Sequence, residues 1–393
     1  MRRLREPDLA LPEPDPAARA HSSRVRAAIV EAIGARGGFL PLHDYVEIAL
    51  YAPGLGYYAA GARKLGADGD FTTAPELTRL YGASVATQVG AILEATGARE
   101  IVELGAGSGR LAIDAVRELE RLGAPPSRYA IVETSPELRE RQQRAIAREL
   151  PAWRDRFAWL DAPPARIDGA VLMNEVLDAV PPHVVARQGG VWYERGVTLG
   201  RDGELALADR APAGLRLVSL ARARFPLEGD YASEVNPAAE ALVETLGRAL
   251  AGGAILAIDY GFPRREYYHP ERSAGTLMAH YRHRATADPF VWPGLADLTA
   301  HVDFTAVAEA GERAGLAVAG YAPQAPFLIG CGILDRLAAV GEPASPAYLR
   351  EAGAVQKLLS PAEMGELFKA IALERGEAIR WPGFAAGDAS HRL

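Results

Sequence analysis

The chain has 393 residues, of which 43 are basic and 50 acidic, for a net charge of −7. Its composition, 49% apolar and 24% charged, is that of a globular protein with a substantial core; it excludes a disordered chain, a collagen-like chain and a small disulfide scaffold. The mild acidic excess argues against broad nucleic-acid binding, which draws on a positive field over phosphates. At one domain per ~150 residues the length suits two or three units, or one elaborated α/β domain. Only Lys64, Lys357 and Lys369 are lysines, a bias that a G+C-rich genome explains. Cys331 is the single cysteine, so neither an intrachain disulfide nor a cysteine-based zinc site can form, which fits a reducing cytoplasm. No run approaches the ~20 apolar residues of a membrane span. The opening MRRLREPDLALPEPDP lacks the apolar stretch of a signal peptide. A soluble cytoplasmic protein is expected.

In chain order, residues 1–20 are rich in proline and aspartate and read as a flexible arm. Helical periodicity covers Ser22 to Ile33 and LHDYVEIALYAP, where Pro53 stops it. Residues 53–76 hold five glycines with little periodicity, a long connection of the kind that is usually functional or disordered. A helix follows from about Leu77 to Ala95. REIVEL (99–104), YAIVE (129–133), FAWL (157–160), GAVLM (169–173) and AILAID (254–259) read as strands. Helices over about 110–122, 136–150 and 237–250 alternate with them, which indicates a parallel, doubly wound α/β sheet. A helix near 302–314 leads to LAVAGYA (316–322) and FLIGCGI (327–333), read as a closing antiparallel pair because no helix separates them. Residues 181–235 and 261–301 interrupt the alternation, the first as β-hairpins around Gly189-Gly190 and Asp202-Gly203, the second as an irregular polar and aromatic insertion. The expected organisation is thus an arm (1–20), a helical and glycine-rich lid extension (21–96), a core (97–340) with two insertions, and a C-terminal helical segment with a tail (341–393).

The strongest chemical signal is IVELGAGSGR (101–110), where a strand ends in Glu103 and Gly105, Gly107 and Gly109 allow a tight turn into a helix. Free N–H groups and the positive dipole end of that helix suit a nucleotide-like ligand. The third glycine falls one position early for the dinucleotide fingerprint. An acid two residues before G-x-G-x-G suits S-adenosylmethionine better, because that ligand carries an ammonium and a sulfonium but no pyrophosphate. Glu133 ends the next strand and can accept both ribose hydroxyls. Asp161, after the third strand, is a candidate for the adenine amino group, with a helix cap as the plainer alternative. The fourth strand runs into MNEVLDAVPP (173–182), which puts Asn174, Glu175 and Asp178 at the carboxyl edge of the sheet, where ligands bind in such folds. Two acids there are costly unless they meet a cation or hydrogen-bond donors. Asp259-Tyr260-Gly261 ends the next strand on the same edge. His280, His283 and the pair His301 and Asp303 invite a metal reading, but no metal-binding spacing supports it, and no G-x-S-x-G elbow supports a hydrolase.

The sequence resembles the MidA-like methyltransferases across about residues 25–385. The likeness is carried by GFLPLHDYVEIALYAPGLGYY (38–58), GDFTTAPELTRLYG (69–82), VELGAGSGR (102–110), MNEVLDAVP (173–181), AIDYG (257–261), GTLMAHYRH (275–283), ADLTAHVDF (296–304) and KLLSPAEMGELFKA (357–370). The resemblance implies a class I methyltransferase fold, a Rossmann-like doubly wound sheet with an antiparallel last strand. It also implies S-adenosyl-L-methionine as cofactor and arginine in a partner protein as acceptor. The family's mitochondrial member symmetrically dimethylates an arginine in a respiratory complex I subunit, which makes such a subunit one expected partner. Glu103, Gly105, Ala106, Gly107, Gly109 and Glu133 match the cofactor positions, with Asp161, Asn174, Thr72 and Thr73 as further contacts. Asp70, Phe71, Thr72, Thr73 and Glu76 belong to a segment expected to close over the pocket. Glu175 and Asp178 are expected to grip the acceptor guanidinium, and His301 to accept the released proton. A small-molecule methyltransferase, an assembly chaperone that binds the cofactor without turnover and, more remotely, a nicotinamide oxidoreductase stay open at this point, as does a homodimer.

Overall fold

The computed structural model describes residues 11–59, 73–376 and 379–393. These form two compact units. The smaller comprises the residues up to 59 with 181–235 and 273–300; the larger comprises 73–180, 236–272 and 301–393.

The larger unit is built on a sheet of seven strands: β1 (Glu100–Leu104), β2 (Arg128–Val132), β3 (Phe157–Leu160), β4 (Ile167–Asn174), β5 (Leu250–Phe262), β6 (Ala317–Pro323) and β7 (Phe368–Arg375). Their spatial order is β3-β2-β1-β4-β5-β7-β6, and the short strand Val302–Asp303 adds to the end of β5. The first five are mutually parallel, and β7 runs antiparallel between β5 and β6. Alternation along each strand divides two cores. Ile101, Tyr129, Ile131, Leu256 and Ile258 face helices Arg79–Thr96 and Arg110–Arg121; Val102, Leu104, Ala130, Ile255 and Ala257 face helices Pro237–Ala249 and Phe304–Arg313. Helix Arg79–Thr96 lies so close to Arg110–Arg121 that a Cβ on Gly82 would come within 2.7 Å of Asp114 Cβ. This is the doubly wound α/β sheet with an antiparallel strand that the alternation of elements predicts.

The antiparallel strand is not the expected one. FLIGCGI is helical, in Gln324–Gly330 and Ile333–Ala338, separated at Gly332 with φ +82°. A short apolar run has no period that separates buried helix from buried strand, and Pro326 in the first turn suits the helix. Conversely, part of the expected C-terminal helical segment is β7. The helix there ends at Leu359, and Phe368–Leu373 are buried on both sheet faces, so the strand shows no polar alternation. Residues 341–393 thus hold both a helix, Pro346–Leu359, and an inner strand of the sheet, Phe368–Arg375. The expected arm is also shorter than 1–20. A helix runs over Pro16–Ala35, capped by Asp15, whose side chain accepts from the Ala18 N–H at 2.9 Å; residues 1–10 lie outside the described residues.

The smaller unit packs helices Pro16–Ala35 and Leu42–Tyr51 with strands 183–188, 191–199, 205–210 and 231–235, and with a three-stranded sheet over 278–299. The hairpins predicted around Gly189-Gly190 and Asp202-Gly203 are present and share strand 191–199, and a helix that the alternation did not predict, Leu215–Arg224, connects strand 205–210 to strand 231–235. Glu234 ties the second insertion to the first by accepting the N–H groups of Thr276 and Leu277 at 2.8 and 2.9 Å.

Candidate functional site

At the carboxyl ends of β1, β2, β4 and β5 the larger unit gathers most of the residues singled out from sequence. After β1 the chain turns through Gly105 (φ +61°), Gly107 (φ +54°) and Gly109 (φ +82°), a backbone path that side chains with a Cβ resist. A Cβ at Gly105 would stand 3.3 Å from Val176 Cγ2. Ala106 is buried between these glycines, and helix Arg110–Arg121 starts directly after Gly109, with Ser108 Oγ accepting the Arg110 N–H at 3.3 Å.

Glu103 sits on the same sheet face as Ile101 and is 2% exposed. Burial pushes its carboxyl up to about 7, opposed by the Tyr129 hydroxyl, which donates to Oε2 at 2.7 Å, and reinforced by the charge of Glu133. Glu133 follows β2 and accepts from the Ser135 N–H at 2.8 Å and from Gln142 Nε2 at 3.0 Å. Burial raises its carboxyl too, and those hydrogen bonds pull it back.

Gln142, which the sequence reading passed over, joins the two halves of this region. From helix Pro136–Glu149 its Nε2 donates to both the Gly107 carbonyl and Glu133, each at 3.0 Å, and its Oε1 accepts from Trp159 Nε1 at 3.0 Å. Asp161 behaves differently. Its side chain is 91% exposed and pairs with Arg139 at 2.6 Å.

The second half of the site is acidic. Asn174 ends β4; its Oδ1 accepts from the Tyr81 hydroxyl and its Nδ2 donates to Glu175 Oε1 at 3.1 Å. Glu175 has φ +54°, a strained conformation for a residue with a Cβ, costing about 1–3 kcal/mol. The same Oε1 accepts the Ala74 N–H at 3.1 Å, at the start of the short helix Ala74–Leu77 that Thr73 precedes. Glu76 of that helix accepts from Ser108 Oγ, so the APE segment is hydrogen-bonded to both the glycine turn and the acidic loop. Asp70, Phe71 and Thr72 lie outside the described residues.

Asp178 is 7% exposed; its Oδ1 is buried and has no hydrogen-bond partner among the described residues. Burial pushes it up to about 6, against a hydrogen bond from Tyr260. Asp259, 1% exposed, was legible as a strand-end acid but not as the centre of this loop. Its Oδ2 accepts from the N–H groups of Val176, Leu177 and Asp178 at 3.0, 2.8 and 3.3 Å. Burial and the charges of Asp178 and Glu175 raise its carboxyl well above the ordinary range, while the N–H groups favour its anion. His301 stands edge-on to the rings of Tyr260 and Phe262, each 5.2 Å away. It reaches the acidic half of the site through Tyr260.

Chemically this arrangement offers buried acids and a glycine turn at the start of a helix. S-adenosyl-L-methionine has two ribose hydroxyls, an ammonium and a sulfonium, and the residues present fit it: buried carboxylates, Glu103 and Glu133, at two strand ends and a glycine turn that lets a ligand approach backbone.

Residues 84–322 match the model of a family described as S-adenosyl-L-methionine-dependent methyltransferases. Among curated proteins, the chain is 30% identical to the mouse protein arginine methyltransferase NDUFAF7, mitochondrial, over 86% of this chain and 81% of that one. It is 27% identical to the Caenorhabditis elegans homolog over 94% and 89%. Among solved structures, a COG1565 superfamily member from Burkholderia thailandensis, bound to S-adenosyl-homocysteine, is similar with a TM-score of 0.94 and 47% identity, over 98% of this chain and 100% of that one. By its matched family model and its class I methyltransferase fold, the chain belongs to the S-adenosyl-L-methionine-dependent methyltransferases, and S-adenosyl-L-methionine is its cofactor.

Proposed function

We propose that this methyltransferase acts on arginine in a partner protein, and that Glu175 and Asp178 hold the acceptor guanidinium. The observation that carries this reading is the buried, unpartnered Oδ1 of Asp178 beside Glu175 and Asp259. Two acids so close to a third at a sheet edge call for a cation that donates hydrogen bonds, and a guanidinium has five donors in a planar fork. The names of the mouse and nematode relatives, both protein arginine methyltransferases, support the same acceptor.

When bound, the cofactor supplies a methyl group on a sulfonium, open to in-line displacement. The rest is work for the chain's own residues. Gly105, Ala106, Gly107 and Gly109 would shape the cofactor turn, Glu133 would take the ribose hydroxyls, and Glu103 would offset the cofactor's positive charge. Asn174, Thr72, Thr73 and, at the rim, Asp161 complete the cofactor contacts. Arginine arrives protonated, with a pKa of roughly 12.5–13.8. Carboxylates that bind two of its nitrogens concentrate lone-pair density on the third and hold it in line. We assign acceptance of the proton that leaves to His301, whose ring packs edge-on against Tyr260. The finer reading is symmetric dimethylation in the cytoplasm, with a respiratory complex I subunit as the first acceptor to test.

The test uses an extract of cells lacking this chain, supplied with labelled S-adenosyl-L-methionine and the purified protein, followed by mass spectrometry of arginines. New dimethylarginine is expected. Glu175→Gln should depress transfer by one to two decades, the equivalent of one charged hydrogen bond of ~1.5–3 kcal/mol. Label appearing on another residue or a small molecule, or a Glu175→Gln protein with the unmodified rate, refutes the reading.

A further inference from the structure

The acidic loop has a shape that its own residues do not favour. Glu175 is left-handed at φ +54°, and the next three residues turn their N–H groups toward one point. That point is Asp259, on β5, some eighty residues further along the chain. Its Oδ2 receives the Val176, Leu177 and Asp178 N–H groups, and its Oδ1 receives the Tyr260 N–H at 2.9 Å. The Glu175 N–H is itself bound to the Ile258 carbonyl at 2.9 Å. Four consecutive amides of the loop are thus fixed by two consecutive residues of β5. Successive N–H groups around one anion form a nest, and here the anion is a side chain of the same protein.

We propose that Asp259 is a positioning residue, whose carboxylate moulds the 175–178 loop and thereby sets where the Glu175 and Asp178 side chains stand. Without it, three buried N–H groups lose their acceptor and the left-handed Glu175 loses the contacts that hold it in a disfavoured conformation. The next residue, Tyr260, hydrogen-bonds Asp178, so the end of β5 governs the loop's backbone through one residue and its second acid through the next. The role in shaping the loop stands by itself; its effect on turnover rests on the guanidinium reading above.

Backbone hydrogen exchange on the full chain tests the shaping role directly. In the unmodified protein the amides of Val176, Leu177 and Asp178 should exchange as slowly as those of the adjoining β5 residues 254–258; fast exchange there overturns the proposal, whether or not any variant folds. In Asp259→Asn, which keeps the volume but removes the charge and replaces one of the two acceptor oxygens by an NH₂ donor, those three amides should exchange at least tenfold faster while 254–258 stay protected. Uniform acceleration across the sheet would mark a general loss of stability and overturn the local role. In the methylation assay Asp259→Asn should lower kcat tenfold or more with the KM for S-adenosyl-L-methionine within threefold. The Glu175→Gln/Asp259→Asn double variant should lose no more than the worse single one, because Asp259 acts through the residues it places. Additive losses overturn the proposal. If Glu175→Gln alone has no effect, the guanidinium reading fails, and the exchange measurement still decides the role of Asp259.

Discussion

Glu103 should make the cofactor-free protein lose stability as pH rises through neutrality. Its carboxyl moves from the ordinary 4.5 to about 7 on folding, because it is buried with one hydroxyl donor, Tyr129, and near a second acid. The folded chain therefore holds this proton more tightly than the unfolded chain does. The stability it contributes is complete below pH 4.5, falls as pH rises from 4.5 to 7, and is gone above that. At ~1.4 kcal/mol per tenfold change in proton affinity, the move from 4.5 to about 7 corresponds to roughly 3.5 kcal/mol, of which about 3 kcal/mol is lost between pH 4.5 and 8. Glu103→Gln cannot ionise and keeps an oxygen for the Tyr129 hydroxyl. Urea unfolding of both proteins without cofactor, at pH 4.5, 6 and 8, should show the variant gaining about 3 kcal/mol over the parent across that range. A difference that stays constant with pH, or runs the other way, would refute the electrostatic assignment. Cofactor binding should reverse the effect, since a cation favours the anionic acid, and calorimetry near pH 6 should register proton release.

The other expectations concern the cofactor half of the site. Gly107→Val places a β-branched residue at φ +54° and should abolish S-adenosyl-homocysteine binding in calorimetric titration, with circular dichroism still showing a folded chain. Glu133→Ala should weaken the same binding by ~1.5–3 kcal/mol, the range for charged hydrogen bonds; unchanged affinity would remove Glu133 from the ribose role. Gln142→Leu leaves the Gly107 carbonyl, the Glu133 carboxylate and Trp159 Nε1 each short of a partner. It should cost about 2–4 kcal/mol of stability in urea, at 1–3 kcal/mol for each unmet buried group with some rescue by water, and should also weaken cofactor binding.

Much of the cofactor half was legible because its signals are local. A strand, a glycine turn and a helix start follow one another within IVELGAGSGR, and Glu133 ends the next strand by the same logic. Gln142 left no such trace. It sits in the polar run RERQQRA, and only the docking of its helix over the glycine turn distinguishes it from Gln143. Asp259 could be seen as a strand-end acid, but its partners, 176–178, are brought to it by the pairing of β5 with β4. The misread C-terminal region has a similar cause. FKAIALER is rich in helix-forming residues, and its strand conformation comes from the slot between β5 and β6 rather than from propensity. FLIGCGI, a β-rich run by composition, is helical, with Phe327, Leu328, Cys331 and Ile333 buried in the core shared with helix Arg79–Thr96.

The place of β7 has a consequence for how the protein is made. Asp259 pairs with Lys369 across 110 residues of sequence, so β5 and β6 can be synthesised and positioned long before the strand that joins them exists. At ~5–20 residues per second, an emerging chain would spend several seconds with two facing strand edges open, each a template for misplaced pairing. Ala370, Ile371 and Ala372 are fully buried, so their insertion closes the apolar gap as well as the hydrogen-bond ladder. A nascent chain arrested before Phe368 should therefore be recognised by chaperones that hold exposed strands. Release of residues 368–375 would be the event that turns an aggregation-prone intermediate into a finished enzyme.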